Sequence, residues 1–417
     1  MSCSRREFMK SVVGASTIVS LSPAVPLFVR KALHAAPADV NATDTVLVVV
    51  QLSGGNDGLN TVVPFEDDVY GRSRKTLRLT AREVHPIDDQ LGFHPEMQRS
   101  LDLFREGHLS VVQGVGYPQS DRDHEVAMRD WYTARPGQTA CPTGWIGRTV
   151  DSIRSTMDVK VPAAFVAPIP KPLALNAEKS IIPRIITAES WTRNPTPGET
   201  SGKVNRAPLA SSEGPAQGQP LLSLVRRATS SAYTTSGQVK QVLNHAVESS
   251  PYPAFPFAQR LKAIAELVKA DVGTRIYFTE LGGGGFGGFD NHANQRDNHA
   301  ALLRQLSGAL AAFVADLRRK RILDRVALMT FSEFGRTVSE NGRRGTGHGA
   351  AAPVLLAGGK LKGGLIGHHP DLLDLDADAP KFHTDFRQVY ATMLENWLGF
   401  RSESALGQKF QTLDLFA

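Results

Sequence analysis

Residues 45–52 read TVLVVVQL and run directly into SGGNDG at 53–58. A stretch of β-branched and aliphatic side chains with almost no polar alternation suits a strand covered on both faces, as in a parallel sheet. The glycines behind it suit a loop that leaves the strand's carboxyl end and lets backbone approach closely. Runs of the same kind stand at 109–115, 163–167, 275–281, 326–331 and 354–357, and segments with helical spacing of apolar residues stand at 95–106, 124–133, 256–270, 298–320 and 384–398. The alternation predicts an α/β fold with a mainly parallel central sheet and helices on both faces. Residues 190–219, rich in Pro, Gly, Ser and Thr and without a period, read as an insertion in one domain spanning 44–417.

Composition narrows the function classes. The 417 residues carry 41% hydrophobic and 21% charged side chains, an ordinary globular balance. The formal charge is +6, but Arg5, Arg6, Lys10, Arg30 and Lys31 against Glu7 place four of those charges in the first 31 residues. The remainder is close to neutral and lacks the concentrated positive field that nucleic-acid binding needs, so nucleic acid is excluded as an expected partner. The cysteines are Cys3 and Cys141 alone, which leaves no internal disulfide and no thiolate metal site once the leader is removed.

That leader is read from Ser4-Arg5-Arg6-Glu7-Phe8-Met9-Lys10, which matches the twin-arginine export motif and precedes a mild apolar stretch at 11–28. Ser16, Ser20, Ser22, Pro23 and Pro26 interrupt that stretch, whereas a permanent span wants about 20 continuous apolar residues. The expectation is a cleaved signal at 1–35, the twin-arginine translocase as a transient partner, no permanent membrane span, and a periplasmic or secreted product.

In sheets of this type ligands collect outside the carboxyl ends of strands. Five places qualify. Asn56-Asp57 follows the opening strand, and its carboxylate either binds a ligand or serves turn chemistry. Asp121 to His124 precedes a helix, where an acidic cap is the plain alternative. Asp290 and His292 join a carboxylate and an imidazole two residues apart beyond the strand at 275–281, the donor types that suit zinc, manganese or iron. Glu333 and Arg336 directly follow the strand at 326–331, as a metal ligand and an oxyanion holder or as a structural ion pair. His348, between Gly347 and Gly349, is placed for a ligand or acid–base role.

Taken together, 51–60 (QLSGGNDGLN), 144–148 (GWIGR), 289–292 (FDNH), 332–337 (SEFGRT), 345–349 (GTGHG) and 384–387 (TDFR) resemble the bacterial family called domain of unknown function 1501. The resemblance implies an exported protein with an alkaline-phosphatase-like α/β domain, in a superfamily whose catalytic members use two metals to align an ester. It places Asp57, Asp290, His292 and His348 as ligands. It also departs from the catalytic pattern. Phe334 stands where an Asp-His pair is expected, Asp123 where the family has Ser, and Gly347 where it has Asp.

Two functions follow. One is a metal-dependent hydrolase of phosphate or sulfate esters, with Asp57, Asp290, His292, Glu333 and His348 holding divalent metal, His124 moving protons and Arg336 steadying the oxyanion. The other is a non-catalytic descendant that binds a small anionic or carbohydrate ligand in the same cleft.

Overall fold

The computed structural model describes residues 45–153, 162–185, 252–282 and 288–417. The export motif and the 190–219 insertion lie outside the described residues. Numbered in chain order, the main sheet contains β1 (Val46–Leu52), β2 (Leu109–Gly116), β3 (Ala163–Val166), β4 (Arg184–Ile185), β5 (Ile276–Leu281), β6 (Val326–Phe331), β7 (Ala352–Gly358), β8 (Gly364–Ile366) and β9 (Thr384–Asp385). Their order across the sheet is β8-β2-β7-β6-β1-β5-β3-β4, with β9 also paired to β2. Only β7 runs antiparallel to its neighbours; β1 pairs in parallel with both β5 and β6.

The α/β reading with a mainly parallel sheet is what the structure shows. β1 explains why its sequence reads as an unbroken apolar run. Val46, Val48, Val50 and Leu52 enter one core, while Leu47 and Val49 enter the other. The first core is closed by α2 (Gln98–Arg105), α5 (Pro256–Lys269) and α6 (Gln295–Arg319), and the second by α3 (His124–Thr133), α4 (Trp145–Ile153) and α7 (Phe386–Thr392). By length and composition α6 is apolar enough to cross a membrane, but Leu302, Leu306, Leu310, Phe313 and Leu317 are spent in the first core. A short helix, α1 (Asp68–Ser73), sits beside a third, smaller apolar cluster.

Two local differences matter later. Residues 384–385 form the edge strand β9, and α7 starts only at Phe386 because Asp385 is its cap, reciprocated by Gln388 in a capping box. The antiparallel direction of β7 brings the segment before it, including His348, to the edge where β1, β2, β5 and β6 end. One reversed strand thus makes the 332–351 connection leave β6 and enter β7 at the same rim.

Candidate metal centre

Backbone chemistry builds the rim first. Gly54 has φ +113°, and a Cβ there would fall 2.5 Å from the Asp290 amide nitrogen, so the turn after β1 requires glycine to touch the Asp290 loop. Its N–H donates to Glu333 Oε1 at 2.8 Å, and the Asn56 N–H donates to Ser332 Oγ at 2.9 Å. The ends of β1 and β6 are thereby fixed to each other. Phe289 N–H donates to Ser53 O at 2.8 Å and ties in the segment after β5.

On that frame His124, Asp290, His292 and His348 converge. Asp290 Oδ1 lies 3.4 Å from His124 Nε2, 3.0 Å from His292 Nε2 and 3.3 Å from His348 Nε2, and the last two nitrogens are 2.8 Å apart. Ligand atoms of His124, Asp290 and His348 all fall within 4.8 Å of one another. The four side chains are 21–44% exposed, so the cluster opens to solvent.

What lies behind the imidazoles decides which nitrogen faces in. His124 Nδ1 donates to Glu333 Oε1 at 3.0 Å, and Glu333 is 3% exposed. His348 Nδ1 donates to the Arg122 carbonyl at 2.6 Å. Both Nδ1 atoms thus carry the proton in the neutral rings, and both Nε2 lone pairs point at the carboxylate of Asp290. Facing acceptors need a cation or a proton between them: a proton on His292 Nε2 can be donated to His348 Nε2 at 2.8 Å, and a divalent cation would satisfy all the inward nitrogens and the carboxylate together. His124 Nε2 is buried and makes no hydrogen bond within the described residues. Outward Nδ1–H held by a carboxylate or carbonyl, with inward Nε2, is the support usually found behind metal-bound histidine. These residues fit a divalent cation of nitrogen and oxygen preference.

Electrostatics set a competition between proton and metal, since a ring must be neutral to bind a cation. The hydrogen bond to Glu333 raises the His124 pKa above its ordinary value against the opposing effect of burial. Burial would raise Asp290, but the hydrogen bond and charge of Arg336 outweigh it and hold the carboxyl below its usual range. Burial lowers His292.

Four expected roles differ in the structure. Asp57 does not join the cluster: it is 2% exposed, caps the turn Gly58–Asn60 through the Leu59 N–H, and is paired to Arg74 with Nη1–Oδ2 at 2.5 Å. Burial alone would raise its pKa, yet the Arg74 charge and hydrogen bond lower it, so the carboxylate is ionised and already neutralised. Arg336 is not available to an oxyanion. Its side chain is fully buried and donates to the carbonyls of Gly54, Gly55, Phe289 and Thr346 and to Asp290 Oδ1, the last at 2.7 Å. It clamps the loops instead. Glu333 supports His124 rather than facing the cluster, and His124, expected only to move protons, is one of the converging donors. Asp123 caps α3 through the Glu125 and Val126 N–H groups, the plain alternative read from sequence.

The profile of the family described as "Protein of unknown function (DUF1501)" matches residues 44–407. The chain belongs to that family. No curated protein matches this DUF1501 chain. Among solved structures it is similar to a lipoteichoic acid synthase from Listeria monocytogenes, at 8% identity and TM-score 0.38, covering 86% of this chain and 73% of that one. It is also similar to a protein in the alkaline phosphatase superfamily from Vibrio parahaemolyticus, at 10% identity and TM-score 0.37, covering 88% and 71%. A third is a phosphonate monoester hydrolase from Silicibacter pomeroyi, at 9% identity and TM-score 0.33, covering 88% and 77%.

Glu333 supplies a first test of the DUF1501 cluster. Glu333→Gln keeps an acceptor for His124 Nδ1 but removes the negative charge, and metal affinity is expected to fall about 10–100-fold. Competition against a chelator reads it. Unchanged affinity would mean that His124 is not a ligand.

Proposed function

We propose that this chain is an exported, metal-dependent hydrolase of phosphate or sulfate esters. The observation that carries the reading is the inward convergence of three imidazole Nε2 atoms on Asp290 Oδ1, with His124 and His348 locked from behind by Glu333 and the Arg122 carbonyl. Zinc, manganese or iron suits that donor set. A bound divalent cation supplies positive charge that polarises an ester oxygen and acidifies water. The chain's own part is positional. Arg336 and the glycine turn at Gly54 hold Asp290, Glu333 and the Arg122 carbonyl orient two rings, and the 37% exposed His292 faces solvent, where an ester arrives. Export through the twin-arginine translocase, with periplasmic or extracellular residence, is supported by Ser4 to Lys10.

Specific observations favour a second reading, a non-catalytic binder of an anionic or carbohydrate ligand. Arg336 is committed to backbone carbonyls, and position 123 offers a capping carboxylate instead of a hydroxyl.

Elemental analysis of gently purified protein, with aryl phosphate and aryl sulfate as substrates, separates the readings. Stoichiometric metal with turnover is expected, and His292→Ala with His348→Ala should abolish both while leaving apo-protein unfolding nearly unchanged. Metal without turnover would favour the binder. Absence of metal, together with no rise in melting temperature on metal addition, would remove the metal centre.

A further inference from the structure

Two of the motifs singled out in the sequence, GWIGR at 144–148 and TDFR at 384–387, place their arginines away from the histidine cluster. Arg148 and Arg387 instead flank Arg135, just beyond the carboxyl end of α3. His124 opens that helix and Thr133 closes it, so about 15 Å of helix separates the two places.

The three guanidiniums differ in how they are used. Arg148 is engaged entirely by neutral acceptors: Nε donates to Ala405 O at 2.7 Å, Nη1 to Thr143 O at 2.6 Å, and Nη2 to Thr133 O. Arg387 is paired with its own Asp385, through Nε at 2.9 Å and Nη2 at 2.6 Å, and lies over the Phe410 ring. Arg135 has neither kind of partner. No carboxylate reaches it at salt-bridge distance among the described residues, and its Nε is buried without a hydrogen bond. Its charge also repels Arg148: burial first, and then Arg135, push the Arg148 pKa down to about 10. A buried guanidinium nitrogen beside a second, counterion-free guanidinium is an unfavourable arrangement unless an anion joins it.

The space beside Arg135 has matching chemistry. A cavity of about 310 Å³ is lined by Arg135, Arg387, Gln138, Gln408 and Gly407 among others, and no carboxylate lines it. Gly407, at φ +90°, stands where a Cβ would be 3.2 Å from Arg135 Nε, so glycine leaves the guanidinium approachable. A second cavity of about 380 Å³ is lined by both Arg135 and Arg148. It does contain Asp151 and Glu178, but Asp151 is spent on the Glu178 and Lys179 N–H groups.

We propose that Arg135, with Arg387 and the carboxamides of Gln138 and Gln408, forms a second ligand site that takes an oxyanion: a phosphate, sulfate or carboxylate group. Arg148 acts behind it, as a fixed positive charge that also staples α3 to the neighbouring loops. A planar guanidinium with unclaimed donors matches an oxyanion's geometry, and the carboxamides add neutral donors. The site is independent of the metal centre and stands whether or not hydrolysis occurs.

Calorimetric titration with inorganic sulfate, inorganic phosphate and acetate, at ionic strength held constant with chloride, tests it. The wild-type chain should bind at least one of these oxyanions, and the order among them separates doubly charged groups from carboxylate. Affinity should survive within about twofold in the His124→Ala/His348→Ala chain and fall at least about tenfold in Arg135→Gln, with Arg135→Lys between them because it keeps charge but loses the fork. In chloride alone, Arg135→Gln should melt no lower than wild type, since it relieves Arg148. Binding that follows the histidines instead of Arg135 would overturn the proposal, as would no binding above the chloride background. A lower melting temperature for Arg135→Gln in chloride would show a structural staple and overturn it as well.

Discussion

Arg74→Met is expected to destabilise the protein by about 3–5 kcal/mol, the usual cost of removing one member of a buried ion pair. Arg74 is fully buried at the end of α1, and its guanidinium meets both oxygens of Asp57, at 2.5 and 3.0 Å. It also donates to Asn60 Oδ1, Thr337 O and Val338 O. Methionine fills similar volume but leaves the Asp57 carboxylate without a cation, takes the guanidinium from the Thr337 and Val338 carbonyls, and leaves Asn60 Oδ1 with the Tyr70 hydroxyl alone. At roughly 2–4 °C per kcal/mol for a large domain, the melting temperature should drop on the order of 10 °C. Asp57→Leu combined with Arg74→Met should recover much of that loss, because replacing a buried pair whole costs far less than breaking it. A double variant as unstable as the single one would show that the unpaired carboxylate is not the source. Its metal content should equal wild type, since Asp57 stands outside the cluster.

The Asp57 result shows where sequence reading stops. Its residue type and its place after β1 are correct for a ligand, and the turn-chemistry alternative was equally visible in D-G-L-N. The choice is made by Arg74, seventeen residues on, whose arrival beneath the turn depends on α1 and on the carbonyls of Thr337 and Val338. Nothing local in the sequence announces that meeting. The Arg122 carbonyl behind His348 is still less legible, because a backbone oxygen carries no residue signature.

The strands were legible for a physical reason. Two-sided burial forces an unbroken apolar run, so β1, β5 and β6 appear within a residue of their ends. The direction of β7 was not, since a strand buried on both faces has the same composition whichever way it runs. Yet that direction is what delivers His348 to the rim. Short edge strands such as β4 and β9 depend on their neighbours' hydrogen bonds and left no pattern to read. Asp290 and His292 could be found because a carboxylate and an imidazole beyond a strand's carboxyl end have few packing uses.

Acid should unfold this protein early, through two histidines remote from any ligand role. His94 and His299 are 5% and 1% exposed and meet edge to face, with ring centroids 5.9 Å apart. Burial pushes His94 down to about 4 and His299 down to about 3. His94 Nδ1 accepts the Glu96 N–H, and His299 Nε2 donates to Asn56 Oδ1, so each ring is used in its neutral form. In the unfolded chain both take protons near pH 6.5. The folded pKa values lie below the unfolded ones, so between about pH 6.5 and 4 the unfolded state holds more protons. Stability is therefore fully present above 6.5 and declines as pH falls, with a limiting slope of about 2.7 kcal/mol per pH unit for two groups. Over pH 7 to 4.5 the loss approaches about 5 kcal/mol, on an order-of-magnitude basis. Protonating one ring further opposes the other, which keeps both neutral in the fold to lower pH. Denaturant unfolding measured against pH, with chelator present to remove metal linkage, reads the slope. His299→Gln keeps an N–H donor toward Asn56 but cannot titrate, so the slope should fall by about 1.4 kcal/mol per pH unit, one proton's worth. A slope unchanged by that substitution would mean that His299 is protonated in the folded state, and the acid lability would then have to be assigned to other groups.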